Sequence, residues 1–182
     1  VMMGTGHALL QAASLIGDGP CVVAYPDDLH FGMPPLARQL IDVYEKTGCS
    51  VLAACHEDGD VSRYGVIDTG SGQLVRGFVE KPARGTEPSH EISIGRYLYT
   101  PEFFRLLAEG WAEHEKNGTG EYYHLYALNR LIAQGKVAWA QVLGKRLDTG
   151  EPAGYLEAIL EYAWNDPALK TVIETFYKKN RQ

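Results

Sequence analysis

Strand-length apolar runs and helix-period stripes alternate along the first third of the chain. Residues 7–16, rich in Ala, Leu and Gln behind Gly4-Thr5-Gly6, suit a short helix. Residues 21–25 form a fully apolar run of strand length, broken by Pro26. Residues 33–47 put Leu36, Leu40, Val43 and Tyr44 on one helix face, with Gly48 as the C-terminal stop. A second apolar strand follows over residues 50–55. This helix–strand alternation predicts a parallel α/β sheet covered on both faces. Ligands of such sheets lie beyond the carboxyl ends of strands, where Asp27 and Asp28 fall.

The middle of the chain has another rhythm. Residues 64–68, 74–80 and 92–99 read as short strands separated by Gly, Ser and Pro turns, including Thr69-Gly70-Ser71-Gly72. That part of the sheet should be hairpin-rich and mixed. Thr100-Pro101-Glu102 signals a helix start: Thr as cap, Pro in the first turn, an acid against the dipole. This helix should run towards Glu115, followed by a turn-rich loop over residues 116–120. A helix over 121–134, a strand over 137–142 and two helices over 152–164 and 167–179 complete the pattern, the last two split by Asn165-Asp166-Pro167. No repeat or low-complexity segment interrupts it, so one domain over residues 1–182 is expected.

Composition is that of an ordinary soluble globular chain, 45% hydrophobic and 22% charged. A formal net charge of −6 argues against a nonspecific nucleic-acid binder. No apolar run reaches membrane-spanning length, and no charged n-region or cleavage site marks a secretory leader. A cytoplasmic protein is expected. Cys21, Cys49 and Cys55 lack metal-ligand spacing and read as buried reduced thiols. The six histidines form no metal motif, and neither a nucleophile elbow nor a Walker A sequence is present.

Three polar strand ends carry candidate chemistry. Asp27-Asp28, loosened by Pro26, could hold a hard divalent ion such as Mg²⁺; a helix cap or solvated turn would use the same residues. Glu80-Lys81-Pro82 ends another strand, and the proline should keep Lys81 extended, with Glu80 and Lys81 on opposite sides. One side could meet a sugar hydroxyl and the other a phosphate, or the pair could be an exposed charged strand end. Asp148, in Gly144-Lys145-Arg146-Leu147-Asp148-Thr149-Gly150, could be a ligand or the cap of the following helix. Gly4-Thr5-Gly6-His7-Ala8 opens a helix whose backbone could approach a base or ribose closely, although Leu9 stands where a dinucleotide fingerprint has its third glycine.

These segments, in this order, resemble bacterial UTP–glucose-1-phosphate uridylyltransferases within the sugar-1-phosphate nucleotidyltransferases. The resemblance runs from Gly4-Thr5-Gly6-His7-Ala8 through Tyr25-Pro26-Asp27-Asp28, Arg63-Tyr64-Gly65-Val66, Phe78-Val79-Glu80-Lys81-Pro82, Ile94-Gly95-Arg96-Tyr97 and Gly120-Glu121 to the Asp148-Thr149-Gly150 segment. It implies a Rossmann-like nucleotide-diphospho-sugar transferase fold, with a mixed, mostly parallel sheet flanked by helices. It also implies that a glucose 1-phosphate oxygen attacks the α-phosphorus of UTP, giving UDP-glucose and pyrophosphate.

By the same resemblance Asp27 and Asp148 would share Mg²⁺. Lys81 would hold the sugar phosphate, Glu80 and Glu121 the sugar hydroxyls, and Gly65 would make a close backbone contact to the sugar. Gly6 would lie against uridine, with His7 also among the substrate-binding residues, and Asp28 near the nucleotide sugar or around the metal. Lys81 and Asp27 are the implied catalytic pair, and a homo-oligomer is implied as the assembly, with no nucleic-acid or membrane partner.

Three departures accompany the resemblance. The family's N-terminal strand and Gly-rich triphosphate loop have no counterpart before Val1, so this chain alone is expected to turn over poorly. The family's Gly-Glu-Ile-Gln-Leu-Thr-Asp reads Gly120-Glu121-Tyr122-Tyr123-His124-Leu125-Tyr126, and its Pro-Ser-Asn reads Pro88-Ser89-His90. A non-catalytic sugar-nucleotide-binding relative, or a transferase for another base or sugar such as a thymidylyltransferase, are the alternatives.

Overall fold

A computed structural model describes residues 2–181. In chain order its elements are α1 (Thr5–Ile16), β1 (Cys21–Ala24), β2 (Asp28–Phe31), α2 (Leu36–Thr47), β3 (Ser50–His56) and β4 (Gly65–Asp68). They continue with β5 (Gly77–Glu80), β6 (Glu91–Tyr99), α3 (Pro101–Asn117) and α4 (Leu125–Ala133). Then come β7 (Val137–Gln141), β8 (Lys145–Asp148), α5 (Pro152–Asn165) and α6 (Pro167–Asn180). No helix among the described residues is long and apolar enough to cross a membrane. The chain divides into two compact units: one runs to Ala24 and resumes over Pro34–Leu143, the other holds Tyr25–Met33 and the chain from Gly144 onward.

The first unit is a six-stranded sheet ordered β5-β4-β6-β3-β7, with β1 also on β6. Leu98 of β6 has Val22 of β1 on one side and Val51 of β3 on the other, while Ile92 has Val66 of β4 and Cys55 of β3. Strands β1 and β4 therefore share one edge of β6, and β3 takes the other. Four strands, β1, β3, β4 and β7, run one way, and β5 and β6 run against them. The sheet is mixed, as expected, with most strands co-directional. Because β6 runs through its centre, the one parallel ladder among the described residues is β3 with β7.

Pleat alternation divides the core. Val51, Ala53, Ile92, Ile94, Leu98, Ala138 and Ala140 face α2, whose Leu36, Leu40 and Val43 close that side. Tyr99 has the opposite parity to Leu98, and its ring stacks on Phe103 of α3 with centroids 3.5 Å apart. Strand β3 is buried at its first five positions, as expected of a strand covered on both faces.

Several local expectations shift. Thr100 does not cap α3 through its side chain; its hydroxyl instead meets that of buried Ser50 at 3.1 Å. The strand expected over residues 74–80 splits. Gln73–Val75 lie along β7 (Val75 N to Val137 O 2.9 Å, Trp139 N to Gln73 O 3.0 Å), and only Gly77–Glu80 pair with β4.

The second unit is smaller. Strands β2 and β8, expected as loops beside strand ends, pair antiparallel with Asp28 opposite Asp148 and Phe31 opposite Lys145. Strand β2 alternates half-buried and exposed positions and β8 buries only Leu147, and four residues each are too short to stand out in the sequence. Helices α5 and α6 follow, divided at Asp166, whose carboxylate accepts from the N–H groups of Ala168 (2.8 Å) and Leu169 (3.2 Å). With Pro167 in the first turn, this end of α6 is both capped and preset in φ. Asp166→Ala removes the acceptor for two helix N–H groups and should destabilise α6 by about 1 kcal/mol, read as lost helicity and a lower thermal midpoint for the second unit.

Candidate functional site

In the first unit the Gly4-Thr5-Gly6 start of α1 lies against a non-helical stretch at 121–123 that leads into a turn at His124. Tyr122 donates its N–H to Met3 O (2.8 Å), and Gly6 donates its N–H to Tyr122 O (2.9 Å). A Cβ on Gly4 would overlap the Tyr122 main chain, and one on Gly6 would press on the Tyr122 ring and the Tyr123 main chain. Glycine is needed here because two backbones meet. On this side of Gly6, the close approach expected for a base is made by the protein itself. This cross-pairing also moves the start of the helix expected at 121 to Leu125.

The contact is reinforced by side chains. Thr5 Oγ1 and His124 Nδ1 are 3.1 Å apart, and burial pushes His124 down to about 4, so the ring stays neutral at neutral pH. The buried Tyr122 hydroxyl donates to Leu107 O at 2.8 Å. His7, on α1, packs its ring on Trp111 of α3 with centroids 4.8 Å apart, within 3.2 Å of Gln11 Nε2.

The β4–β5 hairpin brings Gly65, Glu80 and Lys81 together. Gly65 lies opposite Glu80, and a Cβ on it would drive into the Phe78 ring and stand 3.1 Å from Glu80 Oε2. Lys81 is not extended, as its proline neighbour had suggested: its φ is +47°, the one left-handed non-glycine residue among those described. Its N–H donates to Tyr64 O at 3.0 Å, which ties the turned backbone to β4's approach. A pre-proline residue in this region carries strain on the order of 1–3 kcal/mol, the kind that gathers at ligand sites. Glu121 belongs to the same region. Tyr123 is half exposed, and its hydroxyl is held above the usual phenol range, first by the Glu121 charge, then by hydrogen bonding to Glu121, burial and the charge of Glu80. One phenol thus senses both carboxylates.

In the second unit Asp28 and Asp148 face each other across the β2–β8 ladder, and Arg146 lies between them. Its Nε donates to Asp28 Oδ1 (2.5 Å) and its Nη2 to Asp148 Oδ2 (3.2 Å). Burial is the largest cause of a raised Asp28 pKa; Arg146 opposes the shift, while Asp148 and Asp27 add to it. Asp27 stands one rung on, its carbonyl accepting from Thr149 N (2.8 Å) and Thr149 Oγ1 (2.9 Å). Asp148 does not cap α5. Its Oδ1 accepts from Gly150 N at 3.0 Å, closing a local turn.

The donor set suits a hard cation. No group of three or more His, Cys, Asp or Glu side chains able to hold a metal occurs among the described residues. Mg²⁺ at nucleotide sites needs only about two carboxylates from the protein and takes its other positions from phosphate and water. Asp27 and Asp148 fit that requirement, and the Asp27 carboxylate makes no hydrogen bond among the described residues.

Sequence reading passed over Arg146 and Tyr123. Arg146 had a usable signal: two residues before Asp148 in a short strand, it must share that residue's face. Tyr123 had none, because only tertiary pairing sets the course of residues 121–123. The two departures inside the chain have structural uses. Tyr126 donates to Glu113 Oε2 of α3 (2.8 Å) with the Arg130 guanidinium over its ring (4.3 Å). His90 Nδ1 lies 2.7 Å from Glu57 O, beside the Glu57 N to His90 O bond, which ties the end of β3 to the start of β6.

Known proteins share this fold. The nucleotidyl transferase family model matches residues 2–165. The chain is 38% identical to a UTP–glucose-1-phosphate uridylyltransferase of Staphylococcus epidermidis over 182 aligned residues, 97% of this chain and 62% of the relative. A UDP-glucose pyrophosphorylase solved in complex with UDP-glucose superposes with a TM-score of 0.77 at 32% identity, over 91% of this chain and 64% of that one. The UTP-bound enzyme of Acinetobacter baumannii gives a TM-score of 0.83 at 26% identity, over 98% of this chain and 62% of that one. The chain belongs to the nucleotidyl transferase family. It spans about three-fifths of the length of the curated relative, 62%.

Two substitutions check this geometry. Gly6→Ala forces the Tyr122 ring and Tyr123 backbone aside and should cost about 1–3 kcal/mol, as overpacking does, seen as a lower thermal midpoint. Arg146→Gln leaves Asp28 and Asp148 opposed and should cost roughly 1–3 kcal/mol at pH 7. Asp28 then takes up a proton more readily folded than unfolded, so stability should recover as pH falls towards its raised pKa. Denaturant titrations at pH 7 and pH 5 test both the sign and the window.

Proposed function

We propose that this protein works in uridylyl transfer from UTP to glucose 1-phosphate, yielding UDP-glucose and pyrophosphate. The observation that carries the reading is Glu80 set opposite Gly65 and followed by a strained, left-handed Lys81, within a nucleotidyl transferase chain. Carboxylates such as those of Glu80 and Glu121 accept hydrogen bonds from a polyol, and a lysine next to Glu80 supplies a compact positive charge for its phosphate. The names of the matched relatives support the same substrates.

In this reading Lys81 holds the glucose 1-phosphate phosphate, Glu80 and Glu121 bind sugar hydroxyls, and the Gly65 backbone lies against the sugar. Gly6 and His7 flank the uridine, and Asp28, braced by Arg146, lies near the nucleotide sugar or around the metal. Asp27 and Asp148 are the ligands for Mg²⁺, which when bound neutralises phosphate charge and aligns an in-line displacement. The side chains need do little covalent work: they orient the sugar phosphate oxygen towards the α-phosphorus and offset charge as pyrophosphate leaves. Both units are read as parts of one catalytic domain of a cytoplasmic enzyme. A homo-oligomer is supported by the exposed Tyr155, Ile159, Tyr162 and Phe176 on α5 and α6.

In the complete gene product, UDP-glucose formation should require Mg²⁺. Lys81→Ala and Asp148→Ala should each lower kcat/KM by about 10²–10³-fold, the scale of losing one charge-stabilising contact. Wild-type turnover by Asp148→Ala would remove that residue from the metal assignment, and wild-type turnover by Lys81→Ala would remove the phosphate role.

A further inference from the structure

Two connections of the first unit carry candidate site residues and are tied to each other along their length. Residues 57–64 lead from β3 to Gly65, and residues 81–90 lead from β5, through Lys81, to β6. Lys81 donates its N–H to Tyr64 O (3.0 Å), and Arg84 Nη2 donates to Asp60 Oδ2 (2.5 Å). Glu57 donates its N–H to His90 O (3.0 Å), and His90 Nδ1 lies 2.7 Å from Glu57 O. The next rung pairs His56 of β3 with Glu91 of β6.

His56 meets a carboxylate at each ring nitrogen. Its Nδ1 lies 2.8 Å from Glu91 Oε1, and its Nε2 lies 3.4 Å from Asp58 Oδ1. A carboxylate only accepts and a neutral imidazole has one N–H, so the imidazolium alone satisfies both contacts. The Glu91 side chain is only 17% exposed, and its Oε2 is buried with no hydrogen-bond partner among the described residues. His56 therefore supplies the countercharge that a largely buried carboxylate needs. His90 also faces His56, with ring centroids 5.9 Å apart.

We propose that His56 is a proton-operated latch: held as an imidazolium between Glu91 and Asp58 it fastens the two connections, and loss of its proton loosens Gly65 and Lys81. The effect on sugar-phosphate binding rests on the reading of Lys81 given above; the latch itself does not. Lys81 is left-handed, a conformation kept only while its surroundings hold it, and its bond to Tyr64 is the last of the ties that start at His56. The Glu91 hydrogen bond does most to hold His56 above the ordinary histidine range; burial opposes it, and the charges of Glu91 and Asp58 add to it. A pKa raised on folding gives stability that is complete below the unfolded value and lost as pH rises through the folded one. The latch is thus fastened in mildly acidic solution and released on the alkaline side.

The test joins an NMR titration of the histidine rings, assigned through His56→Gln, to calorimetry of glucose 1-phosphate binding from about pH 6 to about pH 9. His56 should titrate above ordinary histidine in the wild type and move back down in Glu91→Gln. Exchange protection of the Glu57 and Lys81 amides should fall as His56 loses its proton. Glucose 1-phosphate affinity should weaken about three- to fivefold across the same step, the scale of a partly exposed ion pair. In His56→Gln, which keeps a donor but no charge, that step should vanish and only the ligand's own ionisation should remain. An ordinary His56 titration, or one unmoved by Glu91→Gln, overturns the latch. Identical pH profiles of affinity in wild type and His56→Gln overturn its control of the site. Wild-type protein that binds no sugar phosphate at any pH overturns the reading of Lys81, while the NMR titration and amide protection still decide the latch.

Discussion

Strand β6 must form hydrogen bonds along both edges while burying side chains on both faces, and most of the first unit follows from how it does so. One edge is shared end to end by β4 and β1, the other is taken by β3. A strand so enclosed leaves few unpaired main-chain groups, whose burial would each cost on the order of 1–3 kcal/mol. Its nine residues alternate between a layer under α2 and a layer that meets α3 through Tyr99 and Phe103. The antiparallel course of β6 also accounts for a sheet that is mostly co-directional in its strands and mostly antiparallel in its ladders.

The candidate sugar-facing residues hang from this frame by main-chain pairing. Glu80 ends a strand whose partner, β4, is itself fixed to β6. Glu121 and Tyr123 sit in a stretch pinned by Met3 and Gly6. The segments assigned to nucleotide and to sugar are therefore neighbours on one short ladder, and glycine at positions 4 and 6 is what lets them approach. In the second unit a comparable economy operates, with a four-residue ladder facing Asp28 against Asp148 and Arg146 compensating both.

Much of this was legible in the chain. The amphipathic stripe Leu36, Leu40, Val43 and the stop at Gly48 gave α2 to within a few residues. The Asp166-Pro167 break marked the division between α5 and α6. The polar strand ends pointed to Asp27, Glu80 and Asp148 before any geometry was known. What was not legible involved pairing between distant segments. The non-helical course of 121–123, the strand at 28–31 and the brace of Arg146 each depend on a partner far along the chain, and the left-handed Lys81 depends on Tyr64. Local propensity argued the other way for two of them: Glu121-Tyr122-Tyr123 reads as helix, and Lys81 before proline reads as extended.

By itself, then, the sequence of polar and apolar positions determined most of the order of elements, though not β2 and β8, together with the α/β class and the residue types available for metal and phosphate, because periodicity and side-chain chemistry are local properties. Only the tertiary structure decided which of those residues meet. Residues 121–123 are drawn against the start of α1 because two backbones cross-pair at Tyr122, and Asp28 and Asp148 become opposed because β2 and β8 share a register. Such pairings are set by hydrogen-bond satisfaction across long sequence separations, which no window of residues contains.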